Sequence, residues 1–307
     1  MSRKILSALA ATVLAFAIFA GCSNPKIQVN NENKGFSSSE VSYPLTYTDA
    51  YGDVVTIEEK PETIVSVSPA MTEIIYALEL EDRLVGRSDY CDYPPEASEI
   101  RSVGAIDMPD TEAILEINPD IVLASSIFSE EAYNMLTGLD VTVVIVRDES
   151  SVNGMFENIT DVATIMGEPQ RGEELVLELQ GRLNEITVSD AVENLPSVYY
   201  CVGFGEYGEF TAGGDTFIND IISCAGARNA AGNVSGWNFS TEALLEANPD
   251  YILISEWGYD DFINSEPYNT LDAVKNGNVI IIDNNEFERQ GPRNVDAIFE
   301  IYEAING

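Results

Sequence analysis

Histidine is absent from all 307 residues. The commonest general base and the commonest transition-metal ligand are therefore both missing. Most hydrolase triads, zinc enzymes and histidine-ligated haem sites are excluded with them. Cations are scarce as well: 15 Lys and Arg stand against 52 Asp and Glu, for a net charge of −37. A surface this acidic repels phosphate backbones, so no nucleic-acid partner is expected. Apolar residues nonetheless make up 45% of the chain, which excludes a wholly disordered protein. The length allows two ordinary lobes with residues to spare for a leader and a tether.

The chain opens Met1-Ser2-Arg3-Lys4 and runs apolar from Ile5 to Phe19, then Ala20-Gly21-Cys22. Cations, a short apolar stretch and small residues, in that order, form a secretory signal. The stretch is too short for a comfortable permanent span. Small residues directly before a cysteine resemble the bacterial lipoprotein lipobox, with Phe19 where that pattern usually has Leu. The resemblance implies cleavage after residue 21, lipidation of Cys22 and an extracytoplasmic protein held to the membrane by acyl chains. Residues 22–42 are rich in Ser, Asn, Lys and Glu and read as a flexible tether. Three cysteines then remain, Cys91, Cys201 and Cys224, an odd number that implies no full disulfide framework. A Cys201–Cys224 bridge is permitted outside the cell, but small buried hydrophobes are the simpler reading of all three.

The most informative feature is internal. Thr111–Ser125 (TEAILEINPDIVLAS) recurs as Thr241–Ser255 (TEALLEANPDYILIS), identical at ten of fifteen positions with an offset of 130 residues. Two copies of one supersecondary unit are expected. Thr111 and Thr241 read as N-caps, with Glu112 and Glu242 in the first turn, where the helix dipole favours anions. Each helix should stop near Asn118 or Asn248, because a proline follows. Ile121–Ala124 and Tyr251–Ile254 are short apolar runs of the kind found in strands buried on both faces of a parallel sheet.

The alternation extends along the chain. Strands are expected at Ile64–Val67, Val141–Val146, Ser197–Val202 and Val279–Ile282, and helices at Met71–Leu80 and Thr216–Cys224. Strand–helix–strand order in each half predicts an α/β fold of two Rossmann-like lobes. Between them, Gly167-Glu168-Pro169 breaks a helical region, and Leu175, Leu179, Leu183 and Ile186 then share one helical face. The expected organisation is a leader (1–21), a tether (22–42), a first lobe (43–148), a helical linker (149–192), a second lobe (193–286) and a C-terminal segment (287–307). A single helix joining the lobes would limit hinge motion.

Five segments carry a wider resemblance: Ile64–Glu73 (IVSVSPAMTE), Ser88–Pro95 (SDYCDYPP), Asn118-Pro-Asp120, Phe210-Thr-Ala-Gly213 and Glu288–Arg293 (ERQGPR). In order and spacing they resemble the class III ABC-importer binding proteins that carry vitamin B12, haem and iron-siderophores. Ser88–Pro95 looks most like the cobalamin-binding branch. The resemblance implies two lobes joined by one long α-helix, with the ligand in the cleft between them. It also implies a monomeric carrier without a permanent cofactor or metal that delivers its ligand to a permease dimer with ATPase subunits. Carried over residue by residue, Tyr90, Phe204 and Arg289 match cleft residues, Trp237 falls within one residue of a cleft tryptophan with a shorter spacing to Glu242, and Ile106 stands where the cobalamin binder has tryptophan. Glu112 and Glu242 match two glutamates that grip arginines on the permease. Trp257 is added on physical grounds, since it follows a strand at its C-terminal end, where open α/β sheets bind ligands.

Aromatic faces suit a flat, mostly apolar macrocycle rimmed by amides, so a corrinoid, cobalamin, is the expected cargo. A strongly anionic ferric siderophore would want several convergent cations, and only Arg87, Arg289 and Arg293 lie near these motifs. Haem remains open through tyrosine ligation. The reading from another class is a surface hydrolase using Asp89, Asp92 and Glu256 as paired carboxylates. Solvated loop acids fit a chain this acidic better, and no enzymatic activity is expected. Gly203-Phe-Gly205 and Gly213-Gly214 lack the spacing and the following lysine of a phosphate loop. A zinc or manganese carrier is disfavoured by the missing histidines.

Overall fold

Short runs of β-branched and aliphatic residues build two parallel sheets. In the computed structural model, which describes residues 41–187 and 194–307, the chain starts with an antiparallel hairpin, β1 (Leu45–Thr48) and β2 (Val54–Ile57). The leader, Cys22 and the tether as far as residue 40 lie outside the described residues, as does the end of the expected linker at 188–193. The first lobe then runs β3 (Ile64–Ser66), α1 (Pro69–Ala77), β4 (Leu84–Arg87), α2 (Thr111–Ile117), β5 (Ile121–Ala124), α3 (Glu130–Thr137) and β6 (Val143–Ile145). Its sheet has the order β4-β3-β5-β6, parallel throughout. All residues of β3, β5 and β6 are buried, as continuous apolar runs require when helices cover both faces.

The expected linker contains two helices, α4 (Val152–Ile165) and α5 (Pro169–Leu183), separated at Gly167-Glu168; Pro169 opens α5, the long helix that leads to the second lobe. The two helices pack closely because Gly172 has no side chain: a Cβ there would lie 2.5 Å from that of Ala163. The second lobe comprises β7 (Ser197–Cys201), β8 (Glu209–Phe210), α6 (Phe217–Cys224), β9 (Arg228–Asn229), β10 (Asn238–Phe239), α7 (Thr241–Ala247), β11 (Tyr251–Ser255), α8 (Glu256–Asn264), α9 (Asp272–Asn276) and β12 (Val279–Ile282). Its sheet is again parallel, in the order β12-β11-β7-β9, and β8 pairs with β10 as a small antiparallel ribbon. The helices α10 (Asn284–Glu288) and α11 (Asn294–Asn306) close the chain and pack on α6.

The duplicated sequence is a duplicated structure. Both α2 and α7 are seven residues long, and both end on an asparagine in the left-handed region, Asn118 at φ 51° and Asn248 at φ 39°. The N-caps are one residue earlier than expected. Asp110 and Ser240 accept from the Ala113 and Ala243 amides, because Thr111 and Thr241 have already turned into the helix. The aspartate of Asn-Pro-Asp fastens each unit to the sheet. Asp120 accepts from the Thr63 amide (2.8 Å) and hydroxyl (2.9 Å), and Asp250 accepts from the Ser197 amide (2.8 Å) and hydroxyl (2.7 Å). Each clasp pins the exit of the helix beside the first strand of its own lobe.

One core runs through both lobes. Ile64, Met71 and Val144 of the first lobe, Ile159 and Val162 of α4, and Ile218, Leu253 and Ile298 of the second belong to a single buried cluster. The outer faces of the two sheets have separate cores around Ile114 and Leu244. The lobes are therefore joined by packing as well as by helix. Cys91, Cys201 and Cys224 are free thiols, the first two buried. No helix among the described residues is long and apolar enough to cross a membrane.

Candidate functional site

Every strand of the first sheet delivers residues to one place. Ser68 follows β3, Tyr90 follows β4, Ser125 follows β5 and Arg147 follows β6, and all four line a cavity of about 640 Å³ between the lobes. That volume is ordinary for a small-molecule site. The opposite wall comes from the second lobe: Asp215 and Phe217 at the start of α6, and Trp237 just before β10. Asn158 of α4 and the segment Glu288–Gln290 complete it.

Trp237 is placed by backbone rather than by its own packing. The Thr211 amide donates to its carbonyl (3.0 Å), and the Gly213 amide donates to Gly236 (2.8 Å). The two strands can approach this closely only because Gly213 and Gly214 lack side chains; a Cβ on either would fall within 2.7 Å of a carbonyl oxygen. Backbone packing thus accounts for the glycine pair that superficially resembles a phosphate loop. Trp237 is 43% exposed and Tyr90 58% exposed, leaving much of each ring free for contact.

Of the six residues expected to meet ligand, Tyr90, Ile106, Trp237 and Arg289 line this cavity together. Phe204 and Trp257 do not. Phe204 packs edge-on against Phe262 (5.0 Å between ring centres) and Tyr268 (5.2 Å) in the outer core of the second lobe. Trp257, the second residue of α8, is 96% exposed and lines no part of the cavity. Both follow strands at the expected edge, but here the second lobe lines the cavity with the start of α6, with Gly236-Trp237 and with Asn285 and Glu288 after β12. Glu112 and Glu242 sit exposed in the first turns of α2 and α7 and line no part of the cavity.

Arg289 lines the cavity with its charge already engaged. It contacts Glu73 of α1 (3.1 Å) and Asp92 (2.7 Å) and donates to the Tyr90 carbonyl (3.2 Å). Arg293 holds the same Glu73 through two hydrogen bonds, Nε to Oε2 (2.9 Å) and Nη2 to Oε1 (2.7 Å), and covers the Tyr93 ring at 3.9 Å. The Glu73 side chain is only 2% exposed and those of Arg289 and Arg293 only 13% and 11%. Burial works to lower the Arg293 pKa, but its bonds to Glu73 prevail and hold it above the ordinary value. Gln290 adds a reciprocal pair across the lobes, donating to the Glu149 carbonyl and accepting from its amide, both at 2.7 Å. The sequence reading missed Glu73. Its signal is an acid among Met71, Thr72, Ile74 and Ile75, all buried in the same helix.

The three acids of the hydrolase alternative each have a different setting. Asp92 is held by Arg289, Asp89 accepts from Ser102, and Glu256 begins α8. Among the described residues no cluster of acidic or thiol side chains has the arrangement of a metal centre.

The chain is similar to several known proteins. Residues 64–286 match the family model described as periplasmic binding protein. The chain is 32% identical to an uncharacterized ABC transporter substrate-binding lipoprotein, YvrC, of Bacillus subtilis, over 99% of this chain and 98% of that one. It is 27% identical to a cobalamin-binding protein of Halobacterium salinarum, over 86% of this chain and 75% of that one. Among solved structures it resembles the periplasmic heme-binding protein RhuT of Roseiflexus sp. RS-1, with a TM-score of 0.68 and 26% identity over 80% of this chain and 99% of that one.

Proposed function

Because the chain belongs to the periplasmic binding protein family, as a substrate-binding protein of an ABC importer, we propose that it is a lipid-anchored carrier of a corrinoid, cobalamin. The observation that carries this reading is the meeting of Tyr90 and Ile106 from one lobe with Trp237 from the other in a single cavity. Rings on opposite walls suit a flat macrocycle, whose two faces each need an apolar partner. The relationship to a cobalamin-binding protein supports the same cargo. Arg289 supports it too: engaged by Glu73 and Asp92, it is poorly placed to grip haem propionates or an anionic siderophore.

Binding should bury the two exposed rings. Burying one aromatic side chain stabilises by about 1.5–3 kcal/mol, so Tyr90→Ala and Trp237→Ala should each weaken cobalamin binding about ten- to a hundredfold. Isothermal titration calorimetry checks this, and wild-type affinity in both variants would remove these residues from the site. Both variants should fold, because partly wet rings contribute little to the core.

Anchoring rests on Ala20-Gly21-Cys22 and on the lipoprotein relative. In a bacterial host, Cys22→Ala should move the protein from the membrane fraction to the soluble one. Unchanged fractionation would show that the membrane is held by something other than acyl chains on Cys22.

A further inference from the structure

We propose that the cavity selects its ligand by charge: it admits neutral or cationic molecules rich in N–H or O–H donors and rejects anions. The inference rests on the reading that this cavity is the ligand site, and it adds a chemical class that the rings alone do not specify.

Four carboxylates line the cavity, Asp148, Glu149, Asp215 and Glu288, against two cations, Arg147 and Arg289. Neither cation is free. Arg289 is held by Glu73 and Asp92, and Arg147 lies 3.7 Å from Glu149 and 3.8 Å from Asp161. Three of the acids accept from neutral donors, while Glu149 faces Arg147. Ser126 donates to Asp148, and the Tyr200 hydroxyl donates to Glu288 at 2.8 Å. Asp215 accepts from the Ser235 hydroxyl and from the Gly236 amide at 2.8 Å, bonds that hold its carboxyl below the usual carboxylate range. These donors stabilise negative charge without cancelling it.

Asn158 points to the same conclusion independently. It lines the cavity at 1% exposure, and its Nδ2 donates to the Arg147 carbonyl at 2.7 Å, while Oδ1 has no partner. The Arg147 carbonyl fixes which way the amide faces, since a flip would set Oδ1 against another oxygen. A buried acceptor without a donor is costly until something supplies one. Among the charged side chains of the wall, carboxylates outnumber guanidinium groups four to two. A ligand fringed with primary carboxamides, or carrying a metal-bound water, supplies what the wall lacks; one fringed with carboxylates meets like charge. The net charge of −37 on the whole chain acts in the same sense at longer range.

The test is a charge series on one macrocycle, titrated calorimetrically against the wild-type protein at low salt. Aquocobalamin supplies the cation, cyanocobalamin the neutral form, and a cobalamin with peripheral amides hydrolysed to carboxylates the anion. Affinity should fall in that order, by on the order of tenfold per unit charge. High salt should compress the series, as should Asp148→Asn combined with Asp215→Asn, in which the volumes are kept and two charges removed. A thermal melt of the double variant shows whether the fold is retained. Equal affinities across the series, or tightest binding of the carboxylate form, would overturn the inference. If no corrinoid binds, the corrinoid reading fails, and a second arm decides the charge rule by itself. Ferrioxamine B, a cation, should then bind in preference to ferric citrate and haemin; the reverse order would overturn it.

Discussion

Glu73→Ala should lower the melting temperature more than any other single change in the site. Glu73 is the shared partner of Arg289 and Arg293, three side chains almost sealed from water between α1 and the C-terminal segment. Removing one member of a buried ion cluster leaves uncompensated charge and costs about 3–5 kcal/mol. The lower end of that range applies here, because Arg289 keeps Asp92 at 2.7 Å and Arg293 keeps Asp283 and Glu286, each at 3.7 Å. The melting temperature should therefore drop by roughly 5–10 °C. Glu73→Gln retains the shape and removes the charge, so it separates packing from electrostatics. It too should destabilise, since an amide presents a donor where the guanidinium groups need acceptors. Scanning calorimetry that finds both variants as stable as wild type would mean that water and the remaining acids already satisfy the two arginines. The same ion cluster has a functional corollary. With Asp92 also replaced, in Glu73→Ala with Asp92→Asn, both carboxylate partners of Arg289 are gone, so haemin and ferric citrate should gain affinity while cyanocobalamin gains none.

Delivery should fail when Glu112 and Glu242 are both reversed in charge, if these acids dock the carrier on its permease. Glu112 and Glu242 occupy equivalent exposed positions in the first turns of two helices of equal length and equal capping, one on each lobe. Two matched acids on a duplicated scaffold suit a partner with its own two-fold repeat, such as a permease dimer. Stabilisation of the helix dipole accounts for only about 0.3–1 kcal/mol per residue and requires no partner. In Glu112→Arg with Glu242→Arg, like charges would meet across the interface at a cost of several kcal/mol. Uptake of labelled ligand into vesicles containing the cognate importer should fall at least tenfold, and the deficit should shrink as salt rises. Ligand affinity in solution should be unchanged, because neither residue lines the cavity. Normal uptake by the double variant would leave helix stabilisation as the whole role of both acids.

The repeat was legible because its residues are tied to backbone geometry. Asn118 and Asn248 tolerate the left-handed conformation that ends each helix, and Asp120 and Asp250 fasten the unit to its sheet. The partners of those aspartates, Thr63 and Ser197, were not legible, since they lie 57 and 53 residues away and carry no pattern of their own. The buried strands could be read from continuous apolar runs, whereas β8, β9 and β10, of two residues each, are too short for any periodicity. In the site, Tyr90 and Trp237 stand on loops that recognisable segments position. The rule about strand ends holds for every strand of the first sheet and for β12 of the second, but not for β11, which Trp257 follows. Glu73 and Asn158 were invisible because their roles depend on groups brought together by the fold: Arg293 is 220 residues from Glu73 in the chain. A residue that is polar, internal to a helix and surrounded by apolar neighbours is the pattern that both share.

The chain contains two tryptophans, and they report on different things. Trp237 lines the cavity, and Trp257, 96% exposed, does not. In Trp257→Phe the remaining tryptophan fluorescence, excited selectively over the 14 tyrosines, belongs to Trp237 alone, so a titration reads the cavity directly. A corrinoid carrier predicts saturable quenching of Trp237 by cyanocobalamin at one ligand per protein, with haemin and ferric siderophores far weaker. Saturation by haemin or a ferric siderophore, with no response to cyanocobalamin, would contradict the assignment of the cargo.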